Sequence, residues 1–467
     1  MIRNNARAAL LVAVFALGGC AHYPVNDPLS QPVATSEYRF NDQPSGANTN
    51  ELFVCLTFSG GGTRAAALSY GVLQKLRDTP ITWKGSQKRL LDEIDCISSV
   101  SGGSFTAAYY GLFGERVFAD FRRDFLETDV QGALLGRALA PTNWVRLASP
   151  TFSRIDLAAE YYGDALFEHK TFQALGAGGK RPFVIINATN MANGERFEFT
   201  QSDFTVLGSD LSSYPVARAV AASSAFPFLL SPLSLRNYPA PETTKLTRDI
   251  HNGLDDFYTD RRRYQWAFNR AGYVDVAKRP YVHLMDGGLA DNIGLRPIEA
   301  AYRRSSGFIR KLINDGSIEK LLIIVVNART EGTDTISGSE SPPGLLTVAS
   351  KTATVALDNY SFETIQLFKD LRDERARAQR DIAACQEKLN ACPGAPRLPR
   401  LANDIDSYFV DIDFYALKDP ARRDYFLNLP TSFKLSADEV AKLIDVGGDL
   451  LAADPEFRRF LDTIAKP

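Results

Sequence analysis

The chain has 467 residues, 45% of them hydrophobic, which suffices for one large catalytic domain with an appendage or for two or three ordinary domains. The 53 basic and 55 acidic residues give a formal net charge of −2. This balance argues against a polyanionic partner, so no nucleic acid is expected. Beyond the N-terminus, no apolar run has the length of a membrane span.

The first residues have the pattern of an export signal. Two arginines precede an apolar run over residues 8–17, and no acidic residue comes before Cys20. The run ends in Leu-Gly-Gly-Cys, which resembles the bacterial lipoprotein signal box, where the chain is cut before a cysteine that is then lipidated. We expect a signal peptide over 1–19 and lipidation of Cys20, with a plain secretory signal as the alternative. Ala21 favours the outer membrane, facing the periplasm, over the inner membrane.

A change of composition marks the start of the fold. Residues 20–50 are rich in Pro, Ser, Asn, Asp and Gln, which predicts a flexible tether. From residue 51, near-continuous apolar runs alternate with runs of helical periodicity, which predicts a mainly parallel sheet covered on both faces. The predicted strands are 52–58, 94–99, 182–189, 196–200, 281–285 and 320–327, and the predicted helices include 64–77 and 102–113.

The pattern changes again after about residue 340. We expect a catalytic domain over 51–335 and a mostly helical C-terminal extension over 336–467. The extension contains long helical periodicity over 347–390, a strand over 408–414, and helices near 417–428 and 436–464.

The remaining cysteines fall into two pairs. Cys55 lies in a predicted strand and Cys96 lies just before a serine-rich turn, and both are expected to be small buried hydrophobic residues. Cys385 and Cys392 lie on either side of a predicted helix end. In an exported protein they either form a disulfide or stay as two unpaired thiols.

A glycine-rich motif follows the first predicted strand. Residues 59–64 read Ser-Gly-Gly-Gly-Thr-Arg and open onto a helix. Such a loop leaves backbone N–H groups without intrahelical partners, so it can bind a phosphate or an oxyanion. The Lys-Ser/Thr of a P-loop and the dinucleotide-binding spacing are both absent, which favours the oxyanion. The alternative is a tight structural turn.

A second motif of small residues follows the next strand. Residues 98–104 read Ser-Ser-Val-Ser-Gly-Gly-Ser. A nucleophilic serine on a sharp strand-to-helix turn needs small neighbours, because its backbone is strained and the helix packs closely on the strand. Ser101 is therefore the candidate nucleophile, with Gly102 and Gly103 after it. Ser99 stands where the usual elbow has its first glycine.

The order of the ionisable residues favours a serine–aspartate dyad. In α/β-hydrolases the histidine base follows the acid, but every histidine precedes Asp286: His22, His169, His251 and His283. Partial burial would raise the pKa of Asp286 and improve it as a base. The two glycines after it would let its carboxylate reach the serine. Its alternative role is turn capping.

Four blocks together resemble the motifs of a bacterial patatin-like phospholipase. They are residues 58–65, the turn at Ser101, residues 217–227 and residues 286–292. They occur in the family's order and lie between residues 51 and about 330. The sequence departs from the family pattern at Ser99 and Ala65, where the family has glycine.

The resemblance implies a fold, an activity and a site. The family's fold is a three-layer α/β/α sandwich, and its members hydrolyse acyl esters of lipids without a metal or other cofactor. By resemblance, Ser101 is the nucleophile and Asp286 is its base. The oxyanion hole is then formed by the backbone N–H groups of Gly60, Gly61 and Gly62, with Arg64 beside it.

The expected function is that of a lipid acyl hydrolase of the phospholipase A or lysophospholipase type, acting through an acyl-enzyme and attached to a membrane through Cys20. One alternative is an acyltransferase or general carboxylesterase with the same dyad, and another is a non-catalytic binding or assembly module. Residues 129–155 and 236–280 mix aromatics with arginines. They are expected either to enter a lipid headgroup layer or to cover the ends of the sheet.

Overall fold

The computed structural model describes residues 26–29, 38–43, 45–177, 181–227, 229–331, 337, 340–392, 394 and 405–465. The predicted signal peptide and Cys20 lie outside the described residues. Within the described ranges, no helix combines the length and the apolar character needed to cross a membrane.

The strands are β1 (Asp27–Pro28), β2 (Leu52–Phe58), β3 (Pro80–Trp83), β4 (Ser86–Arg89), β5 (Ile94–Val100), β6 (Phe183–Asn190), β7 (Arg196–Glu198), β8 (Ser209–Asp210), β9 (Leu233–Arg236), β10 (Tyr281–Asp286), β11 (Lys320–Asn327) and β12 (Asp406–Asp413).

The α-helices up to the sheet's last inner strand are α1 (Gly62–Arg77), α2 (Gly102–Phe113), α3 (Val130–Leu139), α4 (Pro141–Leu147), α5 (Arg154–Tyr162), α6 (Phe172–Gly176), α7 (Gln201–Val206), α8 (Val216–Ser223), α9 (Glu242–Lys245), α10 (Arg248–Gly253), α11 (Arg261–Ala271), α12 (Gly288–Asp291), α13 (Arg296–Arg303) and α14 (Phe308–Asn314). After β11 come α15 (Leu345–Asn390), α16 (Pro420–Leu427), α17 (Ala437–Ala453) and α18 (Pro455–Ile464). Short π-helical segments occupy Val117–Leu126 and Gly163–Phe167, and 3₁₀ turns occupy Phe40–Asp42, Leu90–Glu93 and Phe414–Ala416.

The main sheet is mixed but mostly parallel. Its strand order is β12-β11-β2-β5-β6-β10-β9, and β7 pairs with β6 outside this path. The pairings from β12 to β6 are parallel. The strand β10 runs antiparallel to both of its neighbours, so the chain reverses direction at one side of the sheet.

The inner strands are buried along their whole length. Every residue of β2, β5 and β6 is buried, as expected when helices cover both faces of a parallel sheet. This arrangement confirms the predicted three-layer fold with a mainly parallel sheet. The apolar runs in the sequence are its direct cause, since a strand with one face in water would alternate apolar and polar residues.

The C-terminal region is mostly helical, as predicted, but it also extends the sheet. The strand β12 pairs in parallel with β11 over its full length, from Lys320 opposite Asp406 to Asn327 opposite Asp413. The helix α17 packs against α1, so closely that a Cβ added at Gly447 would lie 2.7 Å from the Leu68 carbonyl oxygen. The extension is therefore integrated with β11 of the sheet and with α1, the helix that follows the glycine-rich motif.

Parts of the segment predicted as a flexible tether pack on the domain. The strand β1 pairs with β8. Tyr38 and Phe40 are buried, and the Tyr38 hydroxyl donates a hydrogen bond to the Val184 carbonyl oxygen at 2.9 Å. For residues 26–29 and 38–43 the tether prediction therefore does not hold, because a few apolar side chains anchor this polar stretch to the core.

The cysteines also depart from expectation. Cys55 and Cys96, expected as separate buried residues, form a disulfide. They lie opposite each other on β2 and β5 with their Cα atoms 4.7 Å apart, within the range that a disulfide spans. Cys385 and Cys392 are free and exposed. The pairing depends on the register of two strands, which the cysteine spacing does not reveal.

Candidate active site

Ser101 occupies a strained turn between β5 and α2. Its φ of 47° and ψ of −119° are unfavourable for a residue with a side chain, and such strain persists only where the surroundings hold it. The Ser101 N–H donates to the Ser223 hydroxyl at 2.9 Å. A Cβ added at Gly103 would lie 2.6 Å from the Phe58 Cβ, so the helix after the serine can approach the end of β2 only because this residue is glycine.

A chain of serine hydroxyls continues from that hydrogen bond. The Ser223 and Ser104 hydroxyl oxygens lie 3.0 Å apart, the Ser104 hydroxyl donates to Ser99 at 3.2 Å, and the Ser99 hydroxyl donates to the Ile185 carbonyl oxygen at 3.2 Å. Ser223 therefore donates to Ser104, and each hydroxyl in the chain donates once and accepts once. The serine in place of the first elbow glycine thus completes a buried hydrogen-bond network beneath the nucleophile.

Sequence analysis did not find this supporting network. Ser223 lies in the 217–227 block and Ser104 lies one turn into α2, and both are fully buried. The sequence signal for this network is the number of serines in residues 98–104 and in the 217–227 block, where most of the other residues are apolar or small. The pairing of these serines depends on how α8 packs beneath the turn.

The structure brings Asp286 to Ser101 through a shared neighbouring strand. On β6, Asn187 lies opposite Val100 of β5, and the adjacent Ala188 lies opposite Asp286 of β10. The Ser101 side chain lies near enough to the Asp286 carboxyl to lower its pKa. The two predicted catalytic residues are therefore neighbours in the structure.

The Asp286 carboxyl is buried and held in place. Its residue is 6% exposed, and its Oδ1 accepts a hydrogen bond from the Gly288 N–H at 2.8 Å. Burial raises the pKa of Asp286 from its usual 3.8 to about 7, although the hydrogen bonds from Gly288 and Ser101 lower it. A carboxylate with this pKa is a better proton acceptor at neutral pH than an ordinary aspartate.

Histidine rings lie elsewhere in the described structure. The His283 Nδ1 is 2.8 Å from the Ser234 hydroxyl, on the β9 side of its strand, and His169 pairs with Asp164. The hydrogen bonds described for the Asp286 carboxyl come from Ser101 and Gly288, and neither donor is an imidazole.

The glycine-rich motif forms a loop above the serine. Gly61 and Gly62 have φ values of 136° and 60°, which side-chain-bearing residues adopt rarely. Their N–H groups have no acceptor among the described residues, so both are available for an oxyanion. The Gly60 N–H donates to the Asn292 carbonyl oxygen at 2.8 Å. Of the three N–H groups predicted to hold an oxyanion, that of Gly60 is therefore engaged within the fold, and those of Gly61 and Gly62 remain as candidates.

Arg64 lies against the glycine-rich loop, since a Cβ added at Gly61 would lie 2.8 Å from its Nη2. It is 2% exposed, and its Nε donates to the Ala328 carbonyl oxygen at 2.9 Å. Its Nη1 donates to the Leu429 carbonyl oxygen at 2.8 Å, and its Nη2 donates to the Thr431 hydroxyl at 3.0 Å. The guanidinium therefore lies beside the loop and also binds other segments of the chain, which the sequence did not reveal.

A cavity of about 500 Å³ adjoins this loop. It lies at the carboxyl ends of β11 and β12, where Asn292 forms part of its wall, and its charged lining residues are Arg329, Lys369, Asp411 and Asp413. Its volume is in the range of small-molecule sites. In the described part of the chain, no group of three or more His, Cys, Asp or Glu residues is arranged to hold a metal ion.

Comparison with solved structures finds low similarity over most of the chain. Human GIVD cytosolic phospholipase A2 is 13% identical, with 89% of this chain and 62% of the human chain covered and a TM-score of 0.40. The same human enzyme in complex with methyl gamma-linolenyl fluorophosphonate is 13% identical, with 89% and 59% covered and a TM-score of 0.39. VipD from Legionella pneumophila is 12% identical, with 95% and 70% covered and a TM-score of 0.25.

No curated protein matches the sequence at a significant level. The family model described as patatin-like phospholipase matches residues 56–302. This range contains the glycine-rich loop, the Ser101 turn and Asp286, and it makes up more than half of the chain. The chain therefore belongs to the patatin-like phospholipase family.

Proposed function

We propose that the chain is a lipid acyl hydrolase of the phospholipase A or lysophospholipase type, with Ser101 as nucleophile and Asp286 as base. One observation carries this proposal. A serine on a strained strand-to-helix turn lies beside a buried carboxyl and lowers its pKa, in a chain of this family. We further propose that residues 51–335 form the catalytic domain and that lipidation of Cys20 attaches it to the outer membrane, facing the periplasm.

The first half of the reaction forms an acyl-enzyme. Ionised Asp286 accepts the hydroxyl proton of Ser101 as the Ser101 Oγ attacks the ester carbonyl carbon. The carbonyl oxygen becomes an oxyanion and receives hydrogen bonds from the N–H groups of Gly61 and Gly62. The intermediate collapses, the bond to the alcohol oxygen breaks, and Asp286 returns the proton to the departing alcohol.

The second half releases the fatty acid. Asp286 accepts a proton from water as the water oxygen attacks the acyl carbon, and the same two N–H groups hold the second oxyanion. The bond to Ser101 Oγ breaks, and Asp286 returns the proton to that oxygen. An aspartate can serve alone in both steps because burial brings its pKa to about 7, so that it is ionised in part of the protein at neutral pH and still basic enough to accept a proton.

Product analysis tests this proposal. The full-length protein and its Ser101→Ala variant are compared on a phospholipid, a lysophospholipid and a short-chain ester, with free fatty acid and any transacylated product measured. We expect fatty acid from the lipid substrates and loss of turnover in Ser101→Ala. Equal activity in both proteins would contradict the assignment of Ser101, and an acylated alcohol as the main product would identify an acyltransferase.

A further inference from the structure

A short C-terminal segment lies directly on the oxyanion loop. We call residues 429–434 (Leu-Pro-Thr-Ser-Phe-Lys) the clamp segment. The Thr63 N–H donates to the Ser432 carbonyl oxygen at 2.9 Å. A Cβ added at Gly62 would collide with the same carbonyl. The clamp segment is therefore in van der Waals contact with the backbone that carries one of the two free N–H groups.

Arg64 connects the clamp segment to the glycine-rich loop. Two of its nitrogen atoms donate to the clamp, at the Leu429 carbonyl oxygen and the Thr431 hydroxyl. A Cβ added at Gly61 would lie 2.8 Å from the Arg64 Nη2. The guanidinium therefore lies against Gly61, the other residue whose N–H group is free. Because Arg64 is buried, water does not replace these hydrogen bonds easily when one is lost.

The clamp segment is itself anchored on the nucleophile side of the site. Phe433 is buried, and its ring lies 5.5 Å from that of Phe105 in an edge-on contact. Phe105 belongs to α2, the helix that follows Ser101. Lys434 forms an ion pair with Asp129 at 2.6 Å, at the start of α3. The clamp therefore connects the helix of the nucleophile to the loop of the oxyanion hole.

A glycine-rich loop needs such external contacts. Gly61 and Gly62 have little intrinsic conformational preference, so the direction of their N–H groups is set by what surrounds them. Stabilisation of an oxyanion depends on donors fixed in advance of the reaction. A displacement of about 1 Å in such a site can cost about 100-fold in rate.

We propose that the clamp segment positions the oxyanion hole, with Arg64 and the Ser432 carbonyl as the positioning groups. This inference rests on the proposed function, and it assigns a role to residues outside the family-matched range 56–302. Under it, the C-terminal extension is part of the active site. Arg64 acts through its hydrogen-bond geometry, and its charge alone does not suffice.

Arg64 variants separate geometry from charge. The full-length protein is compared with Arg64→Lys, Arg64→Gln and Thr431→Val, and kcat is expressed per site titrated with a fluorophosphonate. Lysine keeps the charge but cannot make the three-way set of hydrogen bonds, so we expect both Arg64 variants to lose about 10- to 100-fold in kcat. The KM and the midpoint of the pH profile stay unchanged, because the dyad is intact. Full kcat in Arg64→Lys would overturn the inference.

Thr431→Val tests the clamp side of the same contact. Loss of one hydrogen bond is expected to lower kcat about fivefold. In the double variant with Arg64→Gln, the Thr431 change is expected to cost nothing further, since the two side chains act through one contact. Losses that multiply in the double variant would show that the residues act independently and would overturn the inference.

Hydrogen exchange gives a readout that does not require turnover. We expect the hydrogen-bonded amides of Gly60 and Thr63 to exchange at least threefold faster in Arg64→Gln and Thr431→Val, because the loop loses its anchors. Unchanged exchange would overturn the inference even if both variants were less active. Faster exchange in a protein that hydrolyses no ester would support the clamp and contradict the proposed function, so the two failures are distinguishable.

Arg263→Gln is the matched control. Arg263 also joins two segments, through Asp249 and Asp256, but it lies in the 236–280 region and not at the loop. We expect this variant to keep its kcat per titrated site and its exchange at residues 60–63. A loss equal to that of Arg64→Gln would mean that general destabilisation explains both results, and the clamp would be rejected.

Discussion

Ser101 and Asp286 lie close to each other across an intervening strand. Ser101 follows β5, Asp286 ends β10, and β6 lies between them with opposite pairing senses on its two sides. The contact therefore requires the reversal of chain direction at β10. The same arrangement buries the Asp286 carboxyl, and this burial raises its pKa. The position of Asp286 near Ser101 and its raised pKa therefore have the same structural cause.

Asp286→Asn should remove the base and leave the fold. Asparagine has nearly the same shape, but it cannot accept the Ser101 proton. We expect kcat to fall by about 100- to 10,000-fold, the usual contribution of a general base, with a melting temperature no lower than that of the wild type, since an unfavourable buried carboxyl is removed. The check is steady-state turnover of a short-chain ester together with thermal unfolding. A loss of less than tenfold would exclude Asp286 as the base.

Activity should depend on the ionisation of Asp286. The pKa of this carboxyl is raised to about 7, and only the ionised form accepts a proton. We therefore expect kcat/KM to rise tenfold per pH unit below about pH 6, to bend near pH 7 and to reach a plateau above it. The measurement is a pH profile on an uncharged ester. A plateau that already begins at pH 5 would mean that the base has an ordinary carboxyl pKa.

Ser223→Ala should weaken the turn that carries the nucleophile. This variant removes the acceptor of the Ser101 N–H and leaves a buried donor unpaired, which costs about 1–3 kcal/mol in stability. We expect kcat to fall about tenfold as well, since the strained φ of Ser101 loses support. Ser224→Ala is the control, because Ser224 directly follows α8 and its hydroxyl donates to the Val220 carbonyl oxygen of that helix. Equal effects of the two variants on kcat would contradict this role of Ser223.

The helices α3 and α4 should contribute to lipid binding. Leu139, Trp144 and Val145 are 62%, 59% and 69% exposed, and α3 adjoins the clamp segment through the Asp129–Lys434 ion pair. We expect Trp144→Ala, in a Cys20→Ser background, to lower vesicle binding about tenfold, because the variant removes an aromatic side chain that the membrane would bury. Hydrolysis of a short-chain ester should not change. Unaltered vesicle binding in a sedimentation assay would contradict the prediction that this region enters the membrane.

The parts of the fold that are readable from the sequence are those set by local chemistry. The apolar runs of β2 and β5 predict buried strands because only buried strands need them. The small residues around Ser101 predict the turn because a bulky neighbour would collide there. Such requirements act over a few residues, so they leave a visible pattern.

The parts that were missed depend on contacts between distant segments. The hydrogen bonds of Arg64 were missed because its partners, Leu429 and Thr431, lie in a different part of the chain. The disulfide between Cys55 and Cys96 needs the register of two strands. Tertiary packing decides both, and neither leaves a periodic signal in the sequence.

The central claim is that a serine and an aspartate act together without an imidazole. Its most direct test is the rate of covalent labelling by a fluorophosphonate, with the labelled residue identified by mass spectrometry. We expect the label on Ser101, at a rate that falls at least 100-fold in Asp286→Asn and stays unchanged in His169→Ala, His251→Ala and His283→Ala. A label on another residue, or a histidine variant that labels as slowly as Asp286→Asn, would contradict the claim.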